Sequence, residues 1–508
     1  MAIDNKTVAQ NTVFLYIRML FTMIISLYTS RVILQILGID DYGIYQAVGG
    51  IVGFLSFLNS TFSSGTSRFL TYELGAGNID RLKATFSTTL TVHILLALLI
   101  VILAETIGLW YFNNKMVIPD NRFVAATWVF HLSIITAIIT VISVPYNAVI
   151  ISHERMKVFA YVGIVDAVGK LVIVFLLNVS DIDKLTFYAM LLTFFQAGIF
   201  IFYVIYCKRA FFESKYRLFF IDKELFKEIF SFSGWGLVAG SAIALNTQGI
   251  LLLLNYFFAP SIVTARAISL QVNTAANLFV TNFRTAVNPQ IIKLLAAGDA
   301  EGSHKLLLES TKYSYYLMLL LCLPICLLAS PILHLWLVEV PEFSVPFLQL
   351  VIIQSLFQVF DTSFYTALYA KGRIKENALI SPMISLLSFP VVFVLFKLGA
   401  SPLALSWVSL IVFIIAGCII KPILINKIAD YKWKDILDVY WVCLKVTLVA
   451  LPIPLGLYYI MGVNTLGDCI LIFINTVLII IFAVYFFGMT ANMRQRLLKK
   501  IRNRLGSR

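Results

Sequence analysis

Arg266 and Arg284 stand 18 residues apart in one apolar stretch, Pro260 to Gln290, PSIVTARAISLQVNTAANLFVTNFRTAVNPQ. At 100° per residue the two return to the same line of a helix. Asn273 and Asn277 fall about 20° to either side of it, and Thr281 and Asn288 within about 60°. The stretch therefore reads as a helix long enough to span a bilayer, with a polar, cationic stripe roughly 27 Å long. The chemistry of such a stripe is anion capture, and pyrophosphate is the group that several guanidiniums grip best. An arginine at mid-membrane costs about 2.5–3.5 kcal/mol even on a lenient scale, so it usually faces a bundle interior or an aqueous cavity. Snorkelling of both arginines to opposite interfaces is the alternative. It leaves the intervening asparagines unexplained, which favours a cavity lining.

Other charges also fall inside apolar runs: Arg18, Arg31, Arg68, Lys170 and Lys445, against Asp166, Asp361 and, near an outer edge, Glu105. With the two arginines above, the interior carries a net charge of about +4, which suits an anionic substrate. Arg18 has Asn11 two turns earlier on its face and joins the cavity-lining group. Arg31 and Arg68 lie nearer helix ends, where snorkelling serves equally well. Asp166 and Lys170, spaced i, i+4, make a structural ion pair at least as readily as a proton relay. Lys445 belongs to a late helix that has no need to meet the transport path. Asp361 has no basic residue in its own span and is the candidate for cation or proton coupling. Ser56, Ser60, Ser63 and Ser67 share one face with Gly49, for close helix packing or for cavity lining.

Enzyme constellations are missing. The chain has no GxSxG, no HExxH, no phosphate-binding P-loop and no paired carboxylates in an outside loop. His93 and His131 are lone residues, expected to be packed. Cys322 and Cys326 share a helix face without a His or a second pair, so the six cysteines read as apolar thiols. No metal, cofactor or ATPase site is expected.

The elements that must position these residues follow from composition. The chain has 508 residues, 60% hydrophobic and 13% charged, with a mean hydropathy of +0.91. It is an all-α polytopic membrane protein. The N-terminal MAIDNKTVAQNTVF lacks a basic region and a cleavage site, so the first span is expected to be retained. Fourteen transmembrane helices are expected, at about 10–37, 43–70, 84–109, 123–151, 158–179, 185–207, 229–257, 261–290, 312–333, 345–370, 377–397, 402–425, 437–460 and 467–488. One set of loops and tails holds 28 Lys and Arg, the other holds 4. By the positive-inside rule both termini are cytoplasmic. The net charge of +13 is thus a topology signal, and nucleic acid is not an expected partner. Outside loops are too short for a further domain.

The two halves resemble one another. Leu74-Gly75-Ala76-Gly77-Asn78 follows the second span and Leu295-Ala296-Ala297-Gly298-Asp299 the eighth. Leu109-Trp110 matches Leu335-Trp336, and Tyr146 before Arg155-Met156-Lys157 matches Tyr365 before Arg373-Ile374-Lys375. A six-span unit is duplicated in parallel, a plan found in transporters. The expected divisions are an N-terminal bundle at 1–207 and a cytoplasmic amphipathic linker at 208–228. A C-terminal bundle at 229–426, two appended transmembrane helices at 427–488 and a basic cytoplasmic tail at 489–508 complete the chain.

SRVILQILGIDDYGIY (30–45), SRFLTYELGAGN (67–78) and the six-plus-six layout with two extra helices resemble the polysaccharide flippases. These are O-antigen and lipid-linked-oligosaccharide translocases of the multidrug/oligosaccharidyl-lipid/polysaccharide exporter (MOP) superfamily. The resemblance implies two six-helix bundles in a V and alternating access. It also implies transfer of undecaprenyl-pyrophosphate-linked oligosaccharide, a polysaccharide or lipopolysaccharide repeat unit, across the bacterial inner membrane to the periplasmic leaflet. Polymerase or ligase machinery would be a partner beside membrane lipids. Arg18, Arg266 and Arg284 take the role of cavity arginines, with Arg31 and Arg68 as further members and Asn273 and Asn277 beside them. The cationic interior and the two extra helices argue against the drug-extruding branch, a cation-coupled antiporter. An integral-membrane polysaccharide polymerase or ligase is the reading from another class, and it lacks the outside loop it would need.

Overall fold

The computed structural model describes residues 5–153, 155–215, 221–371, 374–463, 465–490 and 493–495. Among them there is no strand, and most of them lie in helices, as the long apolar runs require. In a bilayer only helices and closed barrels satisfy every backbone group. Ten described helices are long and apolar enough to cross a membrane, fewer than the fourteen spans expected. The shortfall has physical causes. The first two expected spans join in one apolar run, Met19–Asn59. Inside that run Gly38 alone leaves helical geometry, with φ 81°, a conformation that favours glycine. Pro260–Ala296 is helical throughout its 37 residues, but its arginines and asparagines dilute its hydropathy. Helices also occupy the remaining expected positions, at Lys223–Ala244 and Ile250–Phe257 and at Ile374–Lys397.

The internal repeat has a local structural cause. After Ser56–Ala76, Gly77 turns left-handed with φ 72° and its N–H bonds the Leu74 carbonyl. The Asn78 side chain then accepts from the Arg81 amide to start the next helix. Gly298, with φ 85°, bonds Leu295 in the same way, and Asp299 accepts from the Gly302 amide. A glycine C-cap followed by an Asx N-cap makes the tightest break between two antiparallel helices. The matched sequences are thus the same capping device used twice.

Packing groups the chain into two units that do not divide at the 208–228 linker. The first holds residues 1–267, 337–342 and 385–402; the second holds 268–336, 343–384 and 403–508. The first unit therefore takes helices that chain order assigns to the C-terminal bundle. Hydrogen bonds within it show why. Asn255 spans residue 117, accepting from the Val117 amide at 3.2 Å and donating to its carbonyl at 3.2 Å. Tyr111 donates to the Leu252 carbonyl at 2.7 Å, and Thr264 to that of Ile39 at 2.7 Å. Gly43 lies so close to the Pro260 carbonyl that a Cβ would sit 2.1 Å from its oxygen. At the same end, Arg122 donates to Asp41 at 2.7 and 2.5 Å and to Asp183 at 2.6 Å. That one guanidinium joins three inter-span segments. Burial alone would raise the Asp183 carboxyl, but hydrogen bonds from Arg122 and from the Thr186 amide outweigh it and hold it below the ordinary 3.8.

In the second unit Tyr315, Phe360 and Tyr440 form the aromatic centre, with ring centroids 5.3 and 4.6 Å apart along that chain. A π-helical turn at Ala416–Ile420 widens one helix there. Tyr440 donates to the freed Gly417 carbonyl at 2.5 Å.

Candidate functional site

The polar stripe of Pro260–Ala296 is real, and most of it faces a second polar face. Ser344–Ala370 presents Ser355, Thr362, Ser363 and Thr366, offsets of seven, eight and eleven residues that lie along one side of a helix. Asn277 donates to the Asn273 side chain at 2.9 Å and to Ser355 at 3.3 Å, and Ser355 donates to Asn273. About two turns further, Arg284 donates to Ser363 Oγ, to the Thr362 carbonyl at 2.9 Å and to Thr366 Oγ1 at 2.6 Å. Thr366 reaches on to Asn288 at 3.3 Å. Arg284 is 7% exposed. Among the described residues its guanidinium is held by hydroxyls and carbonyls rather than by a carboxylate. The stripe is thus an interhelical polar seam in the second unit, and Arg284 is its anchor in this state.

Arg266 falls in the first unit and is 3% exposed. One helix therefore carries the two arginines into different units, and the structure does not gather them into one cluster. Arg31 is half-buried and Arg68 exposed, with the Arg68 guanidinium 6.0 Å from the neighbouring Phe69 ring. The side chain of Arg18 lies outside the described residues, as do those of Ser56 and Ser60.

Asp361 has a basic partner that its own span does not reveal. Lys421, 1% exposed, places Nζ 3.4 Å from Asp361 Oδ1 and 5.6 Å from the Tyr365 ring. The residue expected to be without a local counter-charge receives one from a helix 60 positions on. Asp166 and Lys170 meet at 2.7 Å. His131 is not a lone packed residue: it hydrogen-bonds Glu105 at 3.1 Å. His93 is buried against the Thr89 carbonyl at 2.8 Å. Lys445 is exposed and lies 5.1 Å from the Trp441 ring.

Each unit contains a sizeable cavity, and neither is lined by Arg266 or Arg284. The cavity in the first unit measures about 590 Å³ and is walled by Asn59, Asn147, Gln196, Asp166 and Lys170 among hydroxyls and aromatic rings. The one in the second measures about 1080 Å³ and is almost wholly apolar, with Leu323, Leu356, Trp407 and Leu444 in its wall. The amides of the first cavity escaped the sequence reading. Asn147 and Gln196 are each a single polar residue in an apolar run, and Asn59 lies among the serines already read as a packing or cavity-lining face.

No protein-family model matches the chain, and no curated protein matches it in sequence. Solved structures do. The lipid II flippase MurJ, in an inward closed conformation, superimposes with a TM-score of 0.69 over 93% of this chain and 98% of its own, at 13% identity. An inward-facing multidrug resistance transporter of the MATE family gives 0.65 over 82% of this chain and 96% of its own, at 10% identity. A MOP superfamily transporter from Pyrococcus furiosus, whose binding pocket is described as reversed in polarity, gives 0.55 over 80% and 93%, at 14% identity. The fold is that of the MOP transporters. At such identities the likeness is one of architecture, and the chemistry has to come from this chain's own residues. Those supply a buried arginine seam, one buried acid–base pair, Asp361 with Lys421, one polar cavity and one apolar cavity.

Proposed function

We propose that this protein is a flippase for a lipid-linked oligosaccharide, carrying a prenyl-pyrophosphate-bound glycan from the cytoplasmic to the periplasmic leaflet of a bacterial inner membrane. The observation that carries the reading is the extent of the structural likeness. Residues 433–508 are about 15% of the chain. A match over 93% must therefore include part of Trp433–Met461 and Leu466–Gly488, whereas a match over 82% can omit both. The lipid II flippase thus matches part of a region that the multidrug transporter has room to lack.

The chain's chemistry agrees. Arg266 and Arg284 are buried cations on one helix, suited to pyrophosphate, with Arg18, and further Arg31 and Arg68, completing the group. Asn273 and Asn277 supply amides beside them. The arginines capture the headgroup from one side and release it on the other by alternating access, while the prenyl chain stays in an apolar environment. For Arg284 this requires exchanging the Ser363 and Thr366 hydroxyls for phosphate oxygens, a swap of neutral acceptors for charged ones. Both termini are cytoplasmic by the charge bias of the loops, and glycan polymerase or ligase machinery acts downstream.

The test is complementation of a flippase-null strain that carries the cognate glycan pathway. Surface glycan is expected with the wild type and lost with well-expressed Arg266→Ala and Arg284→Ala. Full activity in both variants would remove the arginines from the mechanism. The TM-score of 0.65 with an inward-facing multidrug transporter favours a second reading, a cation-coupled drug antiporter. It predicts no rescue by the wild type and a proton- or sodium-dependent efflux of lipophilic cations.

A further inference from the structure

The cavity inside the first unit differs from the arginine seam in its charge. Among the described residues its one acid and one base, Asp166 and Lys170, bond each other at 2.7 Å, so the described wall has no net charge to offer a pyrophosphate or a lone cation. What it offers is neutral hydrogen bonding. The side-chain oxygens of Asn59 and Asn147 are buried and have no hydrogen-bond partner among the described residues. Both residues line the cavity together with Gln196. Buried acceptors without donors are rare, and each calls for a ligand or water to complete it. Hydroxyl donors fit both oxygens, the Gln196 amide adds a donor and an acceptor, and the ion pair can exchange hydrogen bonds with further hydroxyls. Tyr45 and Phe159 contribute ring surface to the same wall. Amides, a carboxylate and aromatic faces around an uncharged space suit a molecule with hydroxyls on its rim and C–H groups on its faces. At about 590 Å³ the space falls within the roughly 300–1,000 Å³ of small-molecule sites.

We infer that the cavity inside the first unit is a saccharide-binding site, which takes uncharged sugar residues through Asn59, Asn147 and Gln196. It rests on the flippase reading for its source of sugar: the glycan of the lipid-linked substrate, whose pyrophosphate the arginines hold elsewhere. A free saccharide has the same chemistry, and the two sources separate experimentally.

The first arm uses the full chain in lipid nanodiscs and saturation-transfer difference NMR with free glucose, galactose, rhamnose and N-acetylglucosamine. Transfer to at least one sugar is expected, falling at least tenfold in Asn147→Leu and Gln196→Leu. Thr140→Trp, at an exposed position of the cavity wall, plugs the space without emptying a packed site, so it gives the answer if the amide variants fail to fold. Transfer to no sugar, or equal transfer in wild type and Thr140→Trp, would overturn the inference and leave a water-filled space. The second arm measures translocation in proteoliposomes of a fluorescent prenyl pyrophosphate with and without an attached oligosaccharide. If the glycan is the source, Thr140→Trp loses its preference for the glycan-bearing lipid and still moves the bare one. A wild type that moves neither lipid refutes the flippase reading, while sugar binding lost in Thr140→Trp would still establish the site, for a free saccharide.

Discussion

Lys421 is the most completely buried ion-paired charge among the described residues of the second unit, and removing it has a calculable consequence. Its Nζ lies 3.4 Å from Asp361 Oδ1, with side-chain exposures of 1% for the lysine and 21% for the aspartate. At that separation the attraction is about 5 kcal/mol for an effective dielectric of 20. Breaking a buried pair by deleting one partner costs about 3–5 kcal/mol, because the remaining charge loses its compensation. The partial exposure of Asp361 lets water recover some of this, so Lys421→Met is expected to destabilise by about 2–4 kcal/mol. Asp361→Asn should be similarly costly, since it strands a more deeply buried ammonium. The double variant Asp361→Asn/Lys421→Met should regain most of the loss, as neutral pairs of similar volume often replace buried ion pairs without penalty. The assay is reversible unfolding by SDS from mixed micelles, read by tryptophan fluorescence, as a double-mutant cycle. A coupling energy below about 0.5 kcal/mol would refute the reasoning. The same variants address coupling: if Asp361 carries the driving ion, the double variant is stable but does not transport; if the pair is structural, it transports.

Further expectations follow from single sites. Arg284→Lys keeps the charge but cannot reproduce the fork to Thr362, Ser363 and Thr366. Loss of charged hydrogen bonds worth about 1.5–3 kcal/mol each, partly replaced by those the ammonium still makes, should cost about 2–3 kcal/mol in the same unfolding assay. Gly417→Ala would place a Cβ 2.6 Å from the Phe357 carbonyl oxygen; overpacking of about 1–3 kcal/mol is expected as a lowered thermal midpoint. For Asp183 the sign is fixed by its depressed carboxyl. Its contribution is present in full above the unfolded-state value near 3.8 and is lost as pH falls through the lower folded-state value. Thermal midpoints measured from pH 6 downwards should therefore drop less below about pH 4 in Asp183→Asn than in the wild type.

The helices were legible because the bilayer leaves a chain few options: long apolar runs must be helical, and Gly77-Asn78 and Gly298-Asp299 mark helix breaks by capping chemistry that is local in sequence. The stripe from Arg266 to Asn288 was legible from its angular spacing. Its partner was not assigned, although Ser355, Thr362, Ser363 and Thr366 repeat along one side of their helix. Helical spacing tells which residues share a face, not which other helix meets it. The same gap hid Lys421 from Asp361 and Glu105 from His131, pairs separated by 60 and 26 residues. Fourteen crossings were read from hydropathy where ten helices meet the requirement. Pro260–Ala296, with two buried arginines, dilutes its own signal. A basic, aromatic loop marks where the chain turns, whereas Asn255, Tyr111 and Thr264 show which helices pack together, a pairing with no mark in the local sequence.

The most direct measurement is transport by the purified full chain in proteoliposomes, offered a fluorescent prenyl-pyrophosphate oligosaccharide and, separately, a lipophilic cation. The account predicts that the anionic glycolipid crosses the bilayer, that Arg266→Ala and Arg284→Ala slow it at least tenfold, and that the cation stays where it is. Movement of the cation alone, driven by a proton or sodium gradient, would contradict it.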